Sequence, residues 1–408
     1  MITVAGRIGQ RRASLAVPSS EPGPIAGAAR PERSGLKVRS QLIIPNFSTW
    51  NVHAVRDALE RHELGDFRLS AMLADAMGRS PRIAAALATR VLACAGLPFS
   101  FDPNTGDGRR NEAAVKRVLR YWPRMAPVET LVELWRWYLY MGFALAQLKW
   151  SYDAISRDWV PSLEVWHPSM VRYIRGINQW FVLTTDGQIP IEPGDGQWLL
   201  LTASSMRPWL RGAVRVLALP DLVRSFAVRD WARYSEVHGL PVRVAKIPAG
   251  ADNDVKEEFV DAIDHLGSET TILAEQYGAD RGSFGLELAE ARSQEHEAFQ
   301  RLMASCDADV TIALLGTNLT TERTPGVYVP GSNGDGVRRD YMESDVAAMA
   351  SALQEQLLRP WARFNLGEDA TGSAPIPRWE TRPQADLTAE ATGYRDLGDA
   401  LKIGRAHV

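Results

Sequence analysis

Cysteine is nearly absent from this chain, with only Cys94 and Cys306 in 408 residues. Two thiols cannot build a disulfide framework or a four-cysteine zinc site, and they point to a reducing compartment. Both lie in apolar helical runs, where a small hydrophobe is a simpler reading than a nucleophile. Lysine is also scarce: six (37, 116, 149, 246, 256 and 402) stand against forty arginines. No glycine is followed by lysine, so a Walker A phosphate loop is excluded. No Gly-x-Ser-x-Gly elbow occurs. The seven histidines are scattered without metal-ligand spacing. His296-Glu-Ala-Phe-Gln300 fails as a zincin helix because the second imidazole, one turn on, is a glutamine. A spanning helix needs about 20 apolar residues, and the run Ile83–Leu97 is shorter and contains Arg90. Gly331-Ser-Asn-Gly-Asp-Gly336 follows a loop rather than a strand and fits no dinucleotide fingerprint. No cofactor, metal or catalytic residue is expected.

What remains is ordinary globular material: 45% hydrophobic, 23% charged and a net charge of −3. The length suggests two to three domains. Residues 1–44 are rich in Pro, Gly, Ser, Ala and Arg and read as a disordered arm. Its six arginines (7, 11, 12, 30, 33 and 39) face only Glu21 and Glu32. The arm is a solvated tail or a contact for nucleic acid or a partner.

From Trp50 the apolar spacing is helical as far as Gly78, interrupted at Gly65. Ser80-Pro81 resembles an N-cap with proline at the first helical position, opening a helix over Arg82–Gly96. Glu112–Tyr121 and Val128–Met141 read as helices around a turn-rich Asp102–Arg110. The period then falls to two. Ala144–Ser151, Leu163–Trp166, Val171–Ile174, Trp180–Thr184 and Trp198–Leu201 predict a meander of short strands. A long helix follows over Leu217–Val237. After it come a strand Val242–Ile247, a helix Val255–Leu266 with Asp254 and Glu257 as a capping box, and strands Thr270–Leu273 and Phe284–Leu288. A second long helix, Gln294–Leu315, closes this unit. A third, Val337–Arg359, carries Tyr341, Val346, Met349, Leu353 and Leu357 on one stripe, and Pro360 terminates or kinks it.

Charge and tryptophan are unevenly used. From Asp252 to Glu297 thirteen acids oppose Lys256, Arg281 and Arg292, a net of −10 hidden inside a near-neutral total. Of the thirteen tryptophans, Trp135, Trp137, Trp150 and Trp166 read as core at a helix–sheet junction. Trp180, Trp198 and Trp209 fit either a core or a subunit contact.

The order of segments resembles a known family. Gly65-Asp66, Leu69, Met72, Leu73 and Arg79-Ser-Pro-Arg-Ile-Ala-Ala-Ala-Leu-Ala-Thr-Arg90 are similar to the N-terminal region of Mu-like phage portal proteins. So are Arg229-Asp-Trp-Ala-Arg-Tyr-Ser-Glu-Val-His-Gly-Leu-Pro-Val-Arg243, Leu314-Leu-Gly-Thr-Asn-Leu-Thr-Thr321, Gly331-Ser332 and a helix ending Arg363-Phe-Asn-Leu-Gly367. The resemblance covers roughly residues 45–402.

It implies an α+β portal fold: a wing over 45–212, stem helices at 213–239 and 293–315, and a small αβ clip at 240–292 inserted between them. It further implies a tunnel-loop region at 316–337, a long helix at 338–366 returning to the wing, and a C-terminal segment at 367–408 cut before or within the crown. Portal proteins form a ring, typically a dodecamer, at one capsid vertex, through which double-stranded DNA enters and leaves without sequence-specific contact. They dock the terminase large subunit and head–tail connector proteins, and meet the major capsid and scaffold proteins; no membrane is involved. Assembly in the bacterial host cytoplasm and residence in the virion follow. Asn318, Thr320, Thr321, Arg323 and Asn333 become candidates for the DNA channel, and Glu257, Glu258, Asp261 and Asp264 for the docking face of the clip. An acidic clip repels phosphate, as suits a conduit with weak DNA contact. Ile403-Gly-Arg-Ala-His-Val408 can be encoded by a sequencing-adapter stretch, so a longer natural protein is expected. The rival readings are another head–tail connector or minor capsid protein, or a metal-dependent nucleic-acid-processing enzyme using Asp307, Asp309 and Asp340.

Overall fold

The computed structural model describes residues 50–104, 108–185, 187–203, 206–238, 242–248, 251–264, 271–276, 285–289, 295–317 and 333–381. The expected arm at 1–44 lies outside them. Contacts divide the chain into two units, Met1–Ala218 with Thr311–Val408, and Leu219–Val310.

The first unit opens with helices α1 (Val52–Leu64), α2 (Arg68–Met77) and α3 (Pro81–Ala95). Asn51 caps α1, its Oδ1 accepting the Ala54 N–H at 2.9 Å. The helix stops at Gly65, which adopts φ +94, and a Cβ there would lie 2.4 Å from the Tyr173 carbonyl. Only glycine fits that crossing. Ser80 holds the N-cap position of α3 with Pro81 behind it, but makes no side-chain cap bond; its carbonyl accepts from Ala84 instead.

Strand β1 (Phe99–Asp102), α4 (Gly108–Met125) and α5 (Val128–Met141) follow, then β2 (Phe143–Asp153), β3 (Asp158–Trp166), β4 (Val171–Ile174), β5 (Gln179–Thr184), β6 (Gly187–Pro190) and β7 (Trp198–Thr202). The strands are antiparallel but do not form one meander. Their orders are β3-β2-β7 and β4-β5-β6, because β7 returns to pair with β2 rather than with β6.

The long helix α6 (Val214–His238) leads to β8 (Val242–Pro248), α7 (Asn253–Asp264), β9 (Thr271–Gln276), β10 (Gly285–Ala289) and a second long helix, α8 (Glu295–Leu315). Strands β8 and β9 are parallel across α7, and β10 adds antiparallel to β8. The capping box on Asp254 is not formed. Asp252 supplies the carbonyl for the Lys256 N–H at 3.1 Å, so α7 starts earlier and Asp254 sits in its first turn.

Next, α9 (Asn333–Leu353) passes through a wide π turn at Gln354–Leu358 into α10 (Arg359–Leu366), and β11 (Ile376–Trp379) pairs with β1. Pro360 does not end the helix. It falls in the first turn of α10, where the π turn has already interrupted the regular hydrogen-bond ladder that its ring would break.

The core of the first unit is aromatic. Phe67 is fully buried against Phe143 (ring centroids 4.5 Å apart), Trp180 (5.7 Å) and Trp209 (6.0 Å). Trp198 and Trp209 are 1% and 0% exposed within one chain, so both are core, and the subunit-contact reading falls for them. Trp180 is half-buried in the same cluster. The four tryptophans expected at the helix–sheet junction are all buried.

The sheet β3-β2-β7 has two free edges, which ordinarily invite mispairing. Both are closed by side-chain amides from the C-terminal helices. Gln356, on the π turn, accepts from Leu200 N–H at 2.7 Å and donates to its carbonyl at 3.1 Å. Asn365, on α10, accepts from Trp159 N–H at 2.7 Å and donates to the Trp159 and Trp361 carbonyls, both at 2.9 Å.

Among the described residues no helix is long and apolar enough to cross a membrane.

Candidate functional site

Three places in the chain carry the sequence-derived site residues: the junction between α8 and α9, the pair of long helices, and α7.

At the junction, α8 closes when the Gly316 N–H reaches the Ile312 carbonyl at 2.8 Å. Gly316 adopts φ +74, and a Cβ on it would stand 2.6 Å from Val337 and 2.8 Å from Tyr341. Glycine is therefore what lets α9 run close to the end of α8. Of the channel candidates, Asn318, Thr320, Thr321 and Arg323 lie outside the described residues. Asn333 opens α9.

The ends flanking this segment are tied together by Arg90 of α3. Its Nε and Nη2 grip both oxygens of Asp345 on α9 at 2.7 and 3.0 Å, and its Nη1 donates to the Leu314 carbonyl at 2.9 Å. The guanidinium also lies over the Tyr341 ring, 4.5 Å from its centroid. This is the bidentate, stacked geometry that arginine supplies and lysine does not. Burial raises the Asp345 carboxyl above the usual range, while Arg90 opposes the rise by hydrogen bonding and charge. About two turns earlier on α3, Arg82 donates from Nε to the Thr311 hydroxyl at 2.9 Å. Sequence reasoning assigned Arg90 no role. Its one signal was a lone arginine inside an alanine- and leucine-rich run, a pattern that calls for a buried anionic partner.

In the second unit, α6 and α8 pack antiparallel. Arg224 Nε pairs with Asp307 Oδ1 at 2.7 Å, and Tyr234 meets Phe299 with ring centroids 6.1 Å apart. At about 1.5 Å per residue, helices of 25 and 21 residues extend about 38 and 32 Å. Leu219 and Val228 on α6 and Leu302 on α8 are exposed apolar side chains.

On α7, Glu257 and Asp261 are one turn apart on one face, with Glu258 beside them, and Asp264 is the last residue of the helix. The first three acids along the chain (257, 258 and 261) are exposed.

Neither cysteine has nucleophile character. Burial pushes the Cys94 thiol up to about 12 and raises that of Cys306. Asp307 is held by Arg224. Among the described residues no group of three or more His, Cys, Asp or Glu is placed to hold a metal ion, and Asp307, Asp309 and Asp340 form no such cluster.

Comparison with known proteins gives a consistent set of likenesses. The portal protein of Escherichia phage Mu is 26% identical over 212 residues, 50% of this chain and 40% of that protein. The Mu-like prophage FluMu protein gp29 of Haemophilus influenzae is 27% identical over 192 residues, 46% of this chain and 36% of that protein. The alignment thus spans less than half the length of either relative. Among solved structures, a chain in the virion of a native gene transfer agent particle covers 86% of this chain and 90% of its own length (TM-score 0.51, 13% identity). A chain in the neck of a native gene transfer agent particle, computed with C12 symmetry, has the same coverage at TM-score 0.53 and 11% identity. At such identities the likeness is one of fold. Residues 71–408 match the family model for the portal protein of Mu bacteriophage, and the chain belongs to that family.

Proposed function

We propose that this protein is a protomer of a phage portal ring, a non-enzymatic conduit at one capsid vertex through which double-stranded DNA is packaged and ejected. The observation that carries the reading is the family match over residues 71–408. The fold likeness to a chain in a gene transfer agent neck computed with C12 symmetry supports a twelve-fold homo-oligomer. In this reading α6 and α8 are the stem helices, and the unit strung between them is the clip, whose α7 acids Glu257, Glu258, Asp261 and Asp264 face the terminase large subunit and later the connector proteins. Exposed Leu219, Val228 and Leu302 on the long helices are surface that a ring neighbour would cover. The segment carrying Asn318, Thr320, Thr321, Arg323 and Asn333 faces the DNA, and Arg90 fixes the helix ends on either side of it. The wing meets the major capsid and scaffold proteins. Assembly takes place in the host cytoplasm and the ring stays in the virion.

Electron microscopy of the purified protein tests this. A ring with a central hole wide enough for duplex DNA is the expected image. A compact monomer at high concentration would overturn the proposal.

A further inference from the structure

Helix α4 carries six basic residues, Arg109, Arg110, Lys116, Arg117, Arg120 and Arg124, against one acid, Glu112, a net of +5 in 18 residues. Its buried side is formed by Asn111, Ala114, Val118, Tyr121 and Met125, which follow one another at three- and four-residue steps. The same arithmetic places Arg109, Ala113, Lys116, Arg120 and Arg124 on a single stripe of the opposite side, and all five are exposed. The other two cations are otherwise engaged. Arg110 donates to the Leu366 carbonyl at 2.9 Å, and Arg117 pairs with buried Asp158 and lies over the Trp361 ring. Glu112 flanks the stripe, and Asp153 lies within electrostatic reach of Arg124.

We infer that this stripe is a contact surface for the phosphate backbone of duplex DNA, distinct from the α8–α9 junction and from the acidic α7. Fifteen residues of helix separate its ends, about 22 Å at 1.5 Å per residue. One strand of a duplex presents a charge every ~3.4 Å of axis, so a helix lying along it passes roughly six phosphates. A protein partner is the poorer fit. Stable protein interfaces draw their energy from aromatic and apolar anchors at the centre, whereas the uncharged residues on the stripe are Ala113 and Pro123 and the one large apolar side chain exposed beside it is Leu119. Arginine and lysine reaching phosphate oxygens need no such anchor, and they read no sequence. With three or four phosphate contacts the binding is salt-sensitive: firm at low ionic strength and weak at physiological salt, which leaves DNA free to move.

The test is fluorescence anisotropy of a labelled mixed-sequence 24-base-pair duplex titrated with the purified full chain from 50 to 200 mM NaCl. Three proteins are compared: the unaltered chain, Lys116→Ala/Arg120→Ala/Arg124→Ala, and Arg56→Ala/Arg61→Ala, two exposed arginines of α1, as a control. The substituted side chains on α4 are exposed, so melting temperatures should match. Three lost phosphate contacts lower the slope of log affinity against log salt by roughly 2.7. Over the fourfold rise in salt the unaltered chain then loses about 40-fold more affinity than the α4 variant, and the α1 control behaves as the unaltered chain. An unchanged slope in the α4 variant, a loss confined to the α1 control, or tighter binding to poly-glutamate than to DNA of equal charge would each overturn the inference. Microscopy of the same samples separates this from the ring reading. Rings with an unchanged slope sink the stripe alone, and a shifted slope without rings sinks the ring alone.

Discussion

His62 makes the stability of the first unit depend on pH in a calculable way. It is fully buried on α1. Its Nε2–H donates to the Trp209 carbonyl at 2.8 Å, and its Nδ1 lies 2.9 Å from the Ser70 hydroxyl, which donates to the Phe67 carbonyl at 3.1 Å. Burial is the largest influence and pushes the imidazole down to about 4 from its ordinary 6.5, against the pull of the Trp209 carbonyl. Because the folded value is depressed, the unfolded chain binds the proton first. The contribution is fully present above pH 6.5 and is lost as pH falls towards 4. That gap corresponds to about 3 kcal/mol, of which about 2 kcal/mol disappears between pH 7 and pH 5. Buried Asp345 and half-buried Asp195, whose carboxyls are raised by desolvation, act in the opposite direction. A comparison with His62→Gln therefore isolates the histidine. Urea unfolding of both proteins at pH 7, 6 and 5 should show the variant less stable at pH 7 and the difference shrinking by about 2 kcal/mol at pH 5. A stability difference that is the same at both ends of the range would refute the reasoning.

Arg90→Met should cost on the order of 3–5 kcal/mol in thermal unfolding, since it strands a carboxylate that is 2% exposed. Arg90→Met/Asp345→Leu should recover most of that loss, and failure of the double variant to recover would mean the cost lies in packing alone. Asn365→Ala removes the side chain that answers both the N–H and the carbonyl of Trp159, and should lower stability by about 2–3 kcal/mol. Hydrogen exchange at the Trp159 amide should quicken, while exchange in β5 should not. Both thiols should be silent to iodoacetamide in the native state and react once the chain is unfolded in urea; modification of native Cys94 would contradict its burial and its raised pKa.

Much of the secondary structure was legible because its punctuation is local. Helix α5 was read with its observed bounds, since Pro127 precedes it and Gly142 ends it, and β4 was read likewise. What was missed depends on partners far away in sequence. Strands β1 and β11 are four residues each, and Phe99 faces Trp379 across most of the chain, so neither segment signals a strand alone. Strand β6, Gly-Gln-Ile-Pro, is exposed and lacks alternation. The meander failed because strand order is not written in strand composition: β6 and β7 look equally able to continue a sheet. Composition fits Trp198 and Trp209 to either a core or a contact because burial is a tertiary property. Of the site, the α7 acids are visible as a charge excess, whereas nothing in the sequence singles out Gln356 or Asn365, and Arg90 reads only as a break in an apolar run. Their partners, Leu200, Trp159 and Asp345, are 156, 206 and 255 residues distant.

Those long-range pairs share one direction: each joins the N-terminal half of the first unit to residues 333–381. The sheet β3-β2-β7 is complete only when Gln356 and Asn365 arrive to close its edges, and β1 has a partner only when β11 does. Folding of this unit must therefore wait for its last segment, with a loop-closure cost that grows only slowly with the length between. Residues 219–310 intervene between the two halves yet hold together through nearer neighbours, such as β8 with β9. An insertion that is compact in itself leaves the closing contacts of its host intact whatever surface it carries. That separation explains how a near-neutral chain accommodates opposite charges: +5 on α4 in one unit, and −10 between Asp252 and Glu297 around the other. Arg109, Lys116, Arg120 and Arg124 of α4 and Glu257, Glu258 and Asp261 of α7 are exposed, so both sets remain available to partners of opposite sign.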